Sequence, residues 1–500
     1  MKKLFFLILV IFTMGGLRAQ LGVRYDPSIQ SSSSMQYFKP RGDLFVGDCI
    51  PFSLNGTYYY YWLLDSAHHK SLNGLGGHQW VLSTSTDLRN WKQYPIVLGI
   101  DEAWEKSICT GSVVFNKGKY YAFYATRLIT DEGKVNEQLS YAISDDGIHF
   151  DKQKPNPFYT SAPGYSKRNF RDPKVFVDKA GAFHLFVSSE QENAVMKSVA
   201  GCLVHLISTD LQHWAVLDPI LTGQGSVPEC PDYFFWKGWY YLVYSDNSNT
   251  FYVKSRNPYG PWDAPRYQAL SEDWSNVVKT AEFTNGRRIA AAWVPNRSEG
   301  KDDSYEIFGG NSLFREVTQE ADGTLNTSFP GEMIPLTGAA LSLGIHADLG
   351  ATLLGAAGVG PKSSVSGGVA LRSPGGVAMA HIADVPANCR ITLEIEPVGA
   401  NEEFGLLLKS DASGGDGYRL NFSAGNRTVG LGNTTIYGVE GLGRTIKVDI
   451  VMKDGILDAD IDHRRTIVNR TYELHGDHIW LYAKHGAVNF RSIKISPLKD

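Results

Sequence analysis

The sequence contains few cysteines and almost no excess charge, and each scarcity excludes a class of protein. Its five cysteines are spread over 500 residues without any Cys-x-x-Cys pair, so neither a disulfide-stapled scaffold nor a cysteine zinc site is predicted. The formal net charge is only -4 at pH 7, which lacks the basic excess that nucleic-acid-binding proteins carry. We therefore expect no nucleic acid among the partners of this chain.

Long apolar runs are also missing, with one exception at the beginning of the chain. Two lysines follow Met1, residues 4–14 are mostly apolar, and small residues lead up to Ala19. This order is typical of a secretory signal that is cleaved after Ala19. The apolar run is too short to cross a bilayer as a helix, and no later run is long enough. The sequence therefore predicts that residues 1–19 are a signal peptide and that the mature protein is secreted or periplasmic, without a membrane span.

Helical periodicity is nearly absent, and a hairpin signature repeats in its place. Each repeat is a turn that contains glycine, followed by a run of aromatic or β-branched residues of the kind that form strands. The turn glycines are Gly56, Gly118, Gly181, Gly238 and Gly286. In three of the repeats a second signature follows, a polar turn that begins with serine and ends with a large aromatic residue. Hairpins repeated in this way are typical of four-stranded blades arranged around a central axis.

The number of repeats gives the predicted fold class, which is all-β: a five-bladed β-propeller followed by a C-terminal antiparallel β-sandwich. The propeller is assigned to residues 20–335, because the composition becomes rich in glycine, alanine and serine at about that point. Residues 336–500 are assigned to a linker and the sandwich, since short strands separated by turn residues follow. The alternative for the first part is an irregular β-sandwich whose hairpins resemble one another by accident.

Three acidic residues occupy similar places in three of the predicted blades. Asp48, Asp172 and Glu229 each lie eight or nine residues before the turn glycine of their repeat, and Thr110 lies there in the second repeat. The innermost strand of a blade lines the central channel, so these side chains are expected to converge on one axial cavity. The alternative is that the acids are ordinary solvated turn residues.

Carboxyl groups that are forced together in a cavity cannot all ionise easily. One of them is therefore expected to stay protonated near neutral pH, where it can act as an acid. Cleavage of a glycosidic bond needs such a pair, in which one group protonates the leaving oxygen and the other attacks or activates water. Cys49 and Cys230 directly follow two of the acids, so strand alternation predicts that they turn away from the cavity and pack inside the blades.

The same region carries a resemblance to a known family. Residues 171–173 read Arg-Asp-Pro and residues 229–230 read Glu-Cys, in an order and spacing that are specific. Further similarity lies at Trp80, which leads into one of the polar turns, and at Thr110 and Gly111. With these motifs the sequence resembles glycoside hydrolase family 32, the invertases, inulinases and levanases that act on β-fructofuranosides.

The resemblance implies a role for each of these positions. Asp48 would be the nucleophile, Glu229 the general acid/base, and Asp172 a stabiliser that grips sugar hydroxyls. The implied substrate-binding residues are Arg171, Thr110, Trp80 and Gly111. The implied reaction is retaining hydrolysis of β-fructofuranosidic bonds in an oligo- or polysaccharide, such as levan, inulin, fructo-oligosaccharides or sucrose. Paired carboxyls perform this chemistry unaided, so neither a metal nor another cofactor is predicted.

The resemblance is incomplete around Asp48, and two alternatives remain open. Gly47 stands where the family has an amide side chain that contacts the sugar. Five-bladed propellers that act on arabinan or xylan also use three acids, but they invert configuration at the cleaved bond. A propeller with a degraded nucleophile motif could also bind carbohydrate without cleaving it. The sandwich could be a carbohydrate-binding module, although in this architecture it more often only packs against the propeller.

Overall fold

The computed structural model describes residues 21–30, 34–272, 274–354 and 368–499, so the predicted signal peptide lies outside the described residues. Regular structure within these ranges is almost entirely β, which confirms the predicted fold class. None of the described helices has the length and apolar character needed to cross a membrane. Helical structure in the described ranges is limited to α1 at Ser71–Gly74 and to 3₁₀ turns at Pro27–Ile29, Lys197–Val199, Thr284–Gly286, Ser298–Gly300 and Gly331–Met333.

The first twenty strands form five antiparallel groups of four in chain order, and each group is one blade of a propeller. Blade 1 contains β1–β4 at Leu44–Leu54, Thr57–Ser66, Gln79–Ser85 and Lys92–Leu98. Blade 2 contains β5–β8 at Ser107–Asn116, Lys119–Ile129, Val135–Ser144 and Asp151–Lys152. Blade 3 contains β9–β12 at Arg171–Val177, Phe183–Glu190, Gly201–Ser208 and Ala215–Gln224. Blade 4 contains β13–β16 at Glu229–Trp236, Trp239–Asp246, Asn249–Ser255 and Ala269–Ser271. Blade 5 contains β17–β20 at Asn276–Glu282, Arg288–Arg297, Glu306–Gln319 and Leu325–Ser328.

The predicted hairpin turns join the first two strands of each blade, and the polar turns end the third strands of blades 1 to 3. In blade 1, Asn55 and Gly56 have φ of 50° and 78°, the left-handed conformation that a tight hairpin requires. At the end of β3, the Ser85 hydroxyl oxygen accepts a hydrogen bond from the Leu88 N–H (2.8 Å). The indole of Trp91 then donates to the Leu88 carbonyl (2.7 Å), so this aromatic residue packs back as predicted.

The aromatic run of β2 fills the space on both sides of its blade. Tyr58, Tyr60 and Trp62 belong to an apolar cluster shared with blade 5, whereas Tyr61 and Leu63 belong to a cluster shared with blade 2. Successive side chains of a strand point to opposite faces, so one strand can pack against two neighbours. Blades 1 and 5 are also joined through their backbones, because β1 pairs with β19.

Every innermost strand has a β-bulge close to its first residue. In β1 the register against β2 shifts between Val46 and Cys49, where β1 has one residue more than β2. The same single extra residue occurs in β5, β9, β13 and β17. A bulge bends its strand and re-aims the side chains that it carries. The five bulged strand ends surround one end of the central channel, which we call the acidic end because Asp48, Asp172 and Glu229 lie there.

The remaining strands, β21–β32, form one antiparallel assembly of twelve. They lie at His346–Ala347, Ala351–Leu354, Gly368–Ile382, Cys389–Pro397, Glu403–Ser410, Tyr418–Ser423, Thr428–Leu431, Thr434–Ile436, Ile446–Lys453, Ile456–Ile461, Arg465–Arg470 and His478–Pro497. The long strand β32 pairs with β25 along its first half and with β24 along its second half. The assembly encloses one large apolar cluster, as in a β-sandwich. The predicted division of the chain after residue 335 falls between β20 and β21 and stays a prediction.

A buried ion pair joins the propeller to the sandwich. Arg315 of β19 donates two hydrogen bonds to the carboxylate of Asp458 on β30, at 2.7 and 2.8 Å. The hydroxyl of Tyr37 donates to the same carboxylate (2.7 Å). The side chains of the pair are 4% and 0% exposed, so the paired charges are shielded from water and interact strongly.

Candidate active site

The acidic end of the channel contains a cavity of about 360 Å³. The innermost strands of all five blades line it, and they contribute Asp48, Thr110, Asp172, Glu229 and Val277 among others. The repeat therefore brings the three acids together on the axis, as the sequence predicted.

Asp48 lies in the bulge of β1, where its surroundings oppose ionisation. Burial, together with the charges of Asp172 and Glu229, raises the pKa of Asp48 to about 7. The indole Nε1 of Trp293 donates a hydrogen bond to Asp48 Oδ1 (3.2 Å), which favours the ionised form. Asp48 is thus a carboxyl that stays largely protonated up to neutral pH, although the family resemblance implies that it is the nucleophile rather than the acid.

Asp172 is almost wholly buried, and its backbone has a φ of 53° in the bulge of β9. Its Oδ2 accepts a hydrogen bond from the N–H of Cys230 in the next blade (3.1 Å). The Nε of Arg171 lies 3.6 Å from the same oxygen. Burial raises the pKa of Asp172 to about 6, although the positive charge of Arg171 opposes that rise.

Glu229 differs from the other two acids because its side chain is 45% exposed. Arg171 donates from Nη2 to Glu229 Oε1 at 2.8 Å. The other terminal nitrogen of Arg171 donates to Asn169 Oδ1 (2.5 Å) and lies 3.4 Å from Glu137 Oε2. The guanidinium is therefore fixed on several sides and presents one N–H to a carboxylate that still reaches the solvent.

A second arginine ties the cavity wall to the loop that follows β2. Arg127 donates to Glu137 Oε1 (2.7 Å) and to the Leu75 carbonyl (3.2 Å). It also donates to His69 Nε2 at 2.7 Å. Because an arginine only donates, His69 Nε2 must be the acceptor, so neutral His69 carries its hydrogen on Nδ1. Burial lowers the pKa of His69 to about 4, which keeps the ring neutral.

The structure brings five of the seven predicted site residues to the cavity: Asp48, Thr110, Arg171, Asp172 and Glu229. Thr110 Oγ1 is buried and has no hydrogen-bond partner among the described residues, so it is free to bind a ligand.

Trp80 and Gly111, the other two predicted site residues, do not line the cavity. Trp80 is fully buried between blades and donates to the Cys109 carbonyl (2.9 Å). A Cβ on Gly111 would lie 1.9 Å from the Phe123 carbonyl oxygen, so this glycine permits a close backbone approach.

The prediction for the two cysteines is right for Cys49 and wrong for Cys230. Cys49 is buried and contacts the hydroxyl of Tyr60 at 3.2 Å inside the blade. Cys230 lines the cavity, and its Sγ lies 3.8 Å from Asp48 Oδ2 and 3.6 Å from Asp172 Oδ2. The bulge of β13 is the reason, because Cys230 has a φ of 50° and simple alternation does not hold there.

The bulges also correct the idea that the acids occupy equivalent positions. Asp48 is the second residue inside its bulge, Asp172 is the first, and Glu229 precedes the bulge of β13. The acids meet because the bulged segments aim them at one point, although their registers along the strands differ.

Several cavity residues were not found from the sequence. Trp293 holds Asp48, and Asn276 donates from Nδ2 to Glu306 Oε2 (3.1 Å) at the edge of the cavity. His78 and Phe308 also line it, with their rings stacked 4.8 Å apart. The sequence carried two signals: Trp293 lies in the strand after the fifth turn glycine, and His78 lies two residues before Trp80. Glu306 and Phe308 come from β19, the third strand of blade 5, whose contribution the repeat does not predict, and Asn276 is the first residue of the innermost strand β17.

A five-bladed propeller with buried carboxyls at one end of its channel, followed by a β-sandwich, is the architecture of a class of glycoside hydrolases. Residues 50–328, more than half of the chain, match the family described as "Glycosyl hydrolases family 32 N-terminal domain". The chain therefore belongs to glycosyl hydrolase family 32. The match begins just after Asp48, which agrees with the atypical sequence around that residue.

The chain is also similar to several curated proteins over part of its length. A sucrose-6-phosphate hydrolase from Bacillus subtilis (strain 168) is 28% identical over 252 residues, which is 45% of this chain and 51% of that protein. A levanbiose-producing levanase from Geobacillus stearothermophilus is 25% identical over 268 residues, which is 52% of this chain and 59% of that protein. The chain thus spans somewhat more than half the length of these curated relatives.

Solved structures share the fold of nearly the whole chain. Fructan 1-exohydrolase IIa from Cichorium intybus superposes with a TM-score of 0.65 at 15% sequence identity, covering 92% of this chain and 96% of that one. An exo-inulinase from Aspergillus awamori gives a TM-score of 0.65 at 15% identity, with 93% and 98% covered. At such low identity the likeness establishes the fold, and the substrate must be argued separately.

Proposed function

We propose that this protein is a retaining glycoside hydrolase that cleaves β-fructofuranosidic bonds in fructans such as levan and inulin, or in fructo-oligosaccharides and sucrose. The observation that carries the proposal is the convergence of Asp48, Asp172 and Glu229 on one cavity, with Arg171 in contact with two of them. The substrates named for the relatives, levan and sucrose 6-phosphate, agree with this assignment.

In the first half of the reaction the ionised carboxylate of Asp48, which has released its proton to solvent, attacks the anomeric carbon of the fructosyl unit. The bond from that carbon to the leaving oxygen breaks, and Glu229 donates a proton to this oxygen. Trp293 fixes the Asp48 carboxylate through its indole N–H, so one oxygen is held and the other can attack. The product of this half is a covalent fructosyl ester on Asp48.

In the second half water enters from the side of Glu229, which is the more exposed of the acids. Glu229 now takes a proton from the water as the water attacks the anomeric carbon, and the ester bond to Asp48 breaks. Arg171 keeps Glu229 in place during both proton transfers. The released fructose unit has the same anomeric configuration as in the substrate.

Asp172 binds the sugar without reacting with it. Its Oδ2 accepts from the Cys230 N–H and lies near Arg171, and a carboxylate fixed in this way can receive hydrogen bonds from sugar hydroxyls. Thr110 supplies a further buried hydroxyl on the same wall. Together these groups orient the ring relative to Asp48.

The proposal is tested by product analysis of the mature chain on levan, inulin, sucrose, arabinan and arabinoxylan. Release of fructose or fructo-oligosaccharides is expected, with the β-anomer appearing first by NMR because the reaction retains configuration. Release of arabinose or xylose alone, or an inverted product, would refute the proposal in favour of the propellers that invert.

The variant Glu229→Gln separates an enzyme from a protein that only binds carbohydrate. Its amide cannot donate or accept the proton, so kcat/KM on unactivated substrates is expected to fall about 10²- to 10⁴-fold. Sugar binding should persist, because Gln keeps the shape of the side chain. Asp246→Asn, outside the cavity lining, serves as the control. Unchanged turnover by Glu229→Gln would show that Glu229 is not the acid.

A further inference from the structure

The space beside the nucleophile is filled by the ring of Phe308. A Cβ added to Gly47 would lie 2.7 Å from Cε1 of this ring, so no larger side chain fits at position 47 unless the ring moves. His68 holds the backbone of this residue, because its Nδ1 lies 2.9 Å from the Phe308 carbonyl oxygen, and the Phe308 ring packs 4.9 Å from the ring of Trp293. The Phe308 ring, which we call the wedge, therefore occupies the space that a side chain at position 47 would need, so the glycine and the wedge depend on each other.

On the far side of this wedge lies His78, whose position is fixed on every side. It is 2% exposed, it stacks on Phe308, and its backbone N–H donates to Ser107 Oγ (3.0 Å). Its Nε2 lies 3.1 Å from Oδ1 of Asp65, which is fully buried. The carboxylate accepts the Nε2 hydrogen, so the neutral ring has its lone pair on Nδ1.

The second ring nitrogen of His78 is available to a ligand. Nδ1 makes no hydrogen bond within the described part of the chain, although the side chain lines the cavity. Since the side chain lines the cavity and this nitrogen has no partner among the described residues, a bound molecule or water can donate a hydrogen bond to it. Sugar hydroxyls are donors that can do so.

We propose that His78, oriented by Asp65, accepts a hydrogen bond from a hydroxyl of the sugar at the cleaved bond and thereby determines which sugar the cavity takes. This inference rests on the proposed function. It gives His78 the contact that an amide at position 47 would otherwise make, because Phe308 excludes such an amide.

A metal ion is the alternative ligand for this group of side chains, but the hydrogen bonds that they make argue against it. Ligand atoms of Asp65, His69 and His78 lie within 4.8 Å of one another. However, His69 accepts from Arg127 on Nε2, so its Nδ1 carries a hydrogen and cannot bind a cation. The guanidinium of Arg127 also places a permanent positive charge beside the group. The arrangement thus favours a hydroxyl over a metal.

The test is a cycle that combines His78→Phe with substrates that each lack one hydroxyl on the cleaved sugar. His78→Phe keeps a ring stacked on Phe308 but removes the acceptor, so kcat/KM on the full substrate is expected to fall about 10- to 100-fold. For wild type, one deoxy analogue should show a similar loss. His78→Phe should cleave that same analogue as fast as it cleaves the full substrate, because the variant and the analogue each remove the same hydrogen bond.

Three further variants distinguish the loss of this hydrogen bond from misfolding. His78→Gln retains an acceptor and should recover most of the lost kcat/KM. The double variant His78→Phe with Asp65→Leu removes the carboxylate that the single variant leaves buried without its partner. His205→Phe replaces a buried histidine of blade 3 outside the cavity lining and is the matched control.

Two results would overturn the inference. One is that folded His78→Phe discriminates among all deoxy analogues as wild type does. The other is that purified wild type holds one equivalent of metal that His78→Phe lacks. Failure of the proposed function is seen separately, because wild type would then cleave no fructoside. If it cleaves an arabinoside instead, the same cycle with deoxyarabinosides still tests His78.

Discussion

Asp48 is a residue at which the needs of the site and of the fold conflict. Its pKa rises from 3.8 to about 7 in the folded protein, chiefly because of burial. The folded state therefore holds a proton that the unfolded state releases between about pH 4 and pH 7, so stability falls as the pH rises through this range. The position that suits a nucleophile therefore destabilises the folded protein when Asp48 is ionised.

Asp48→Asn should consequently be more stable than wild type at pH 8, because the amide has no charge to bury. The expected gain in the free energy of unfolding is on the order of a few kcal/mol at pH 8, and most of it should be gone at pH 4.5. Urea unfolding of both proteins at the two pH values checks this. A difference that is the same at pH 4.5 and pH 8 would contradict the assigned cause.

The identity of the three acids could be predicted from the sequence, but their individual surroundings could not. Position relative to a turn glycine indicates which residues face the axis. It does not show that Trp293 holds Asp48 or that Cys230 faces the cavity, because these contacts join different blades. Phe308 is far from the motifs along the chain, and only the fold brings it beside Gly47. His78 lies two residues before Trp80, but its contact with Phe308 is also a product of the fold.

At the scale of single strands, Gly111 shows how closely the inner strand and its neighbour approach. The sequence motif suggested a substrate contact, whereas the structure places the Phe123 carbonyl where a side chain would begin. We expect Gly111→Ala to lower the free energy of unfolding by about 1 to 3 kcal/mol, because β5 and β6 must separate. We expect kcat/KM to fall as well, because the distortion displaces Thr110, which directly precedes Gly111 and lines the cavity.

The matched control is Gly225→Ala, where nothing lies within 4 Å of an added Cβ. That variant should unfold at the same urea concentration as wild type to within the error of the measurement. Equal stability of Gly111→Ala and Gly225→Ala would mean that the blade tolerates the methyl group.

The hairpins of the blades are predictable because their turns are local. A glycine after a left-handed residue, followed by aromatic residues, needs no information from elsewhere in the chain. The bulges are different, because no residue type marks them in every blade. In β1 the register against β2 slips after Val46, and Gly47 inside this bulge has no counterpart in the bulges of the other blades. Their position depends on the packing of five strands around one axis.

At the scale of the whole molecule, Arg315 and Asp458 hold the two β-structures together. Arg315→Met would leave the Asp458 carboxylate buried without its cation, which typically destabilises a protein by about 3 to 5 kcal/mol. Adding Asp458→Leu should restore much of this loss, since no charge is then buried. Urea unfolding of the single and double variants gives the coupling between the two residues.

Export is a further proposal about the whole molecule. Expression of the full chain in a bacterial host with a secretory pathway should give a mature protein that begins at Gln20, because cleavage is predicted after Ala19. Intact mass and N-terminal sequencing of the product determine this directly. Recovery of a chain that begins at Met1 from the cytoplasm alone would contradict the proposal.

The repeated bulge has a consequence for how such a cavity can change. Each blade supplies its own short, separately aimed segment, while the regular pairing of the innermost strand with its neighbour in the same blade lies further along these strands. One segment can therefore be replaced without changing that pairing, provided that the new segment keeps its contacts to the neighbouring blades, such as the hydrogen bond from the Cys230 N–H to Asp172. The segment with Gly47 and Asp48 differs from the family pattern, whereas the Arg-Asp-Pro and Glu-Cys segments keep it. Substrate preference can thus be altered blade by blade, and grafting one two-residue segment is the smallest unit of redesign.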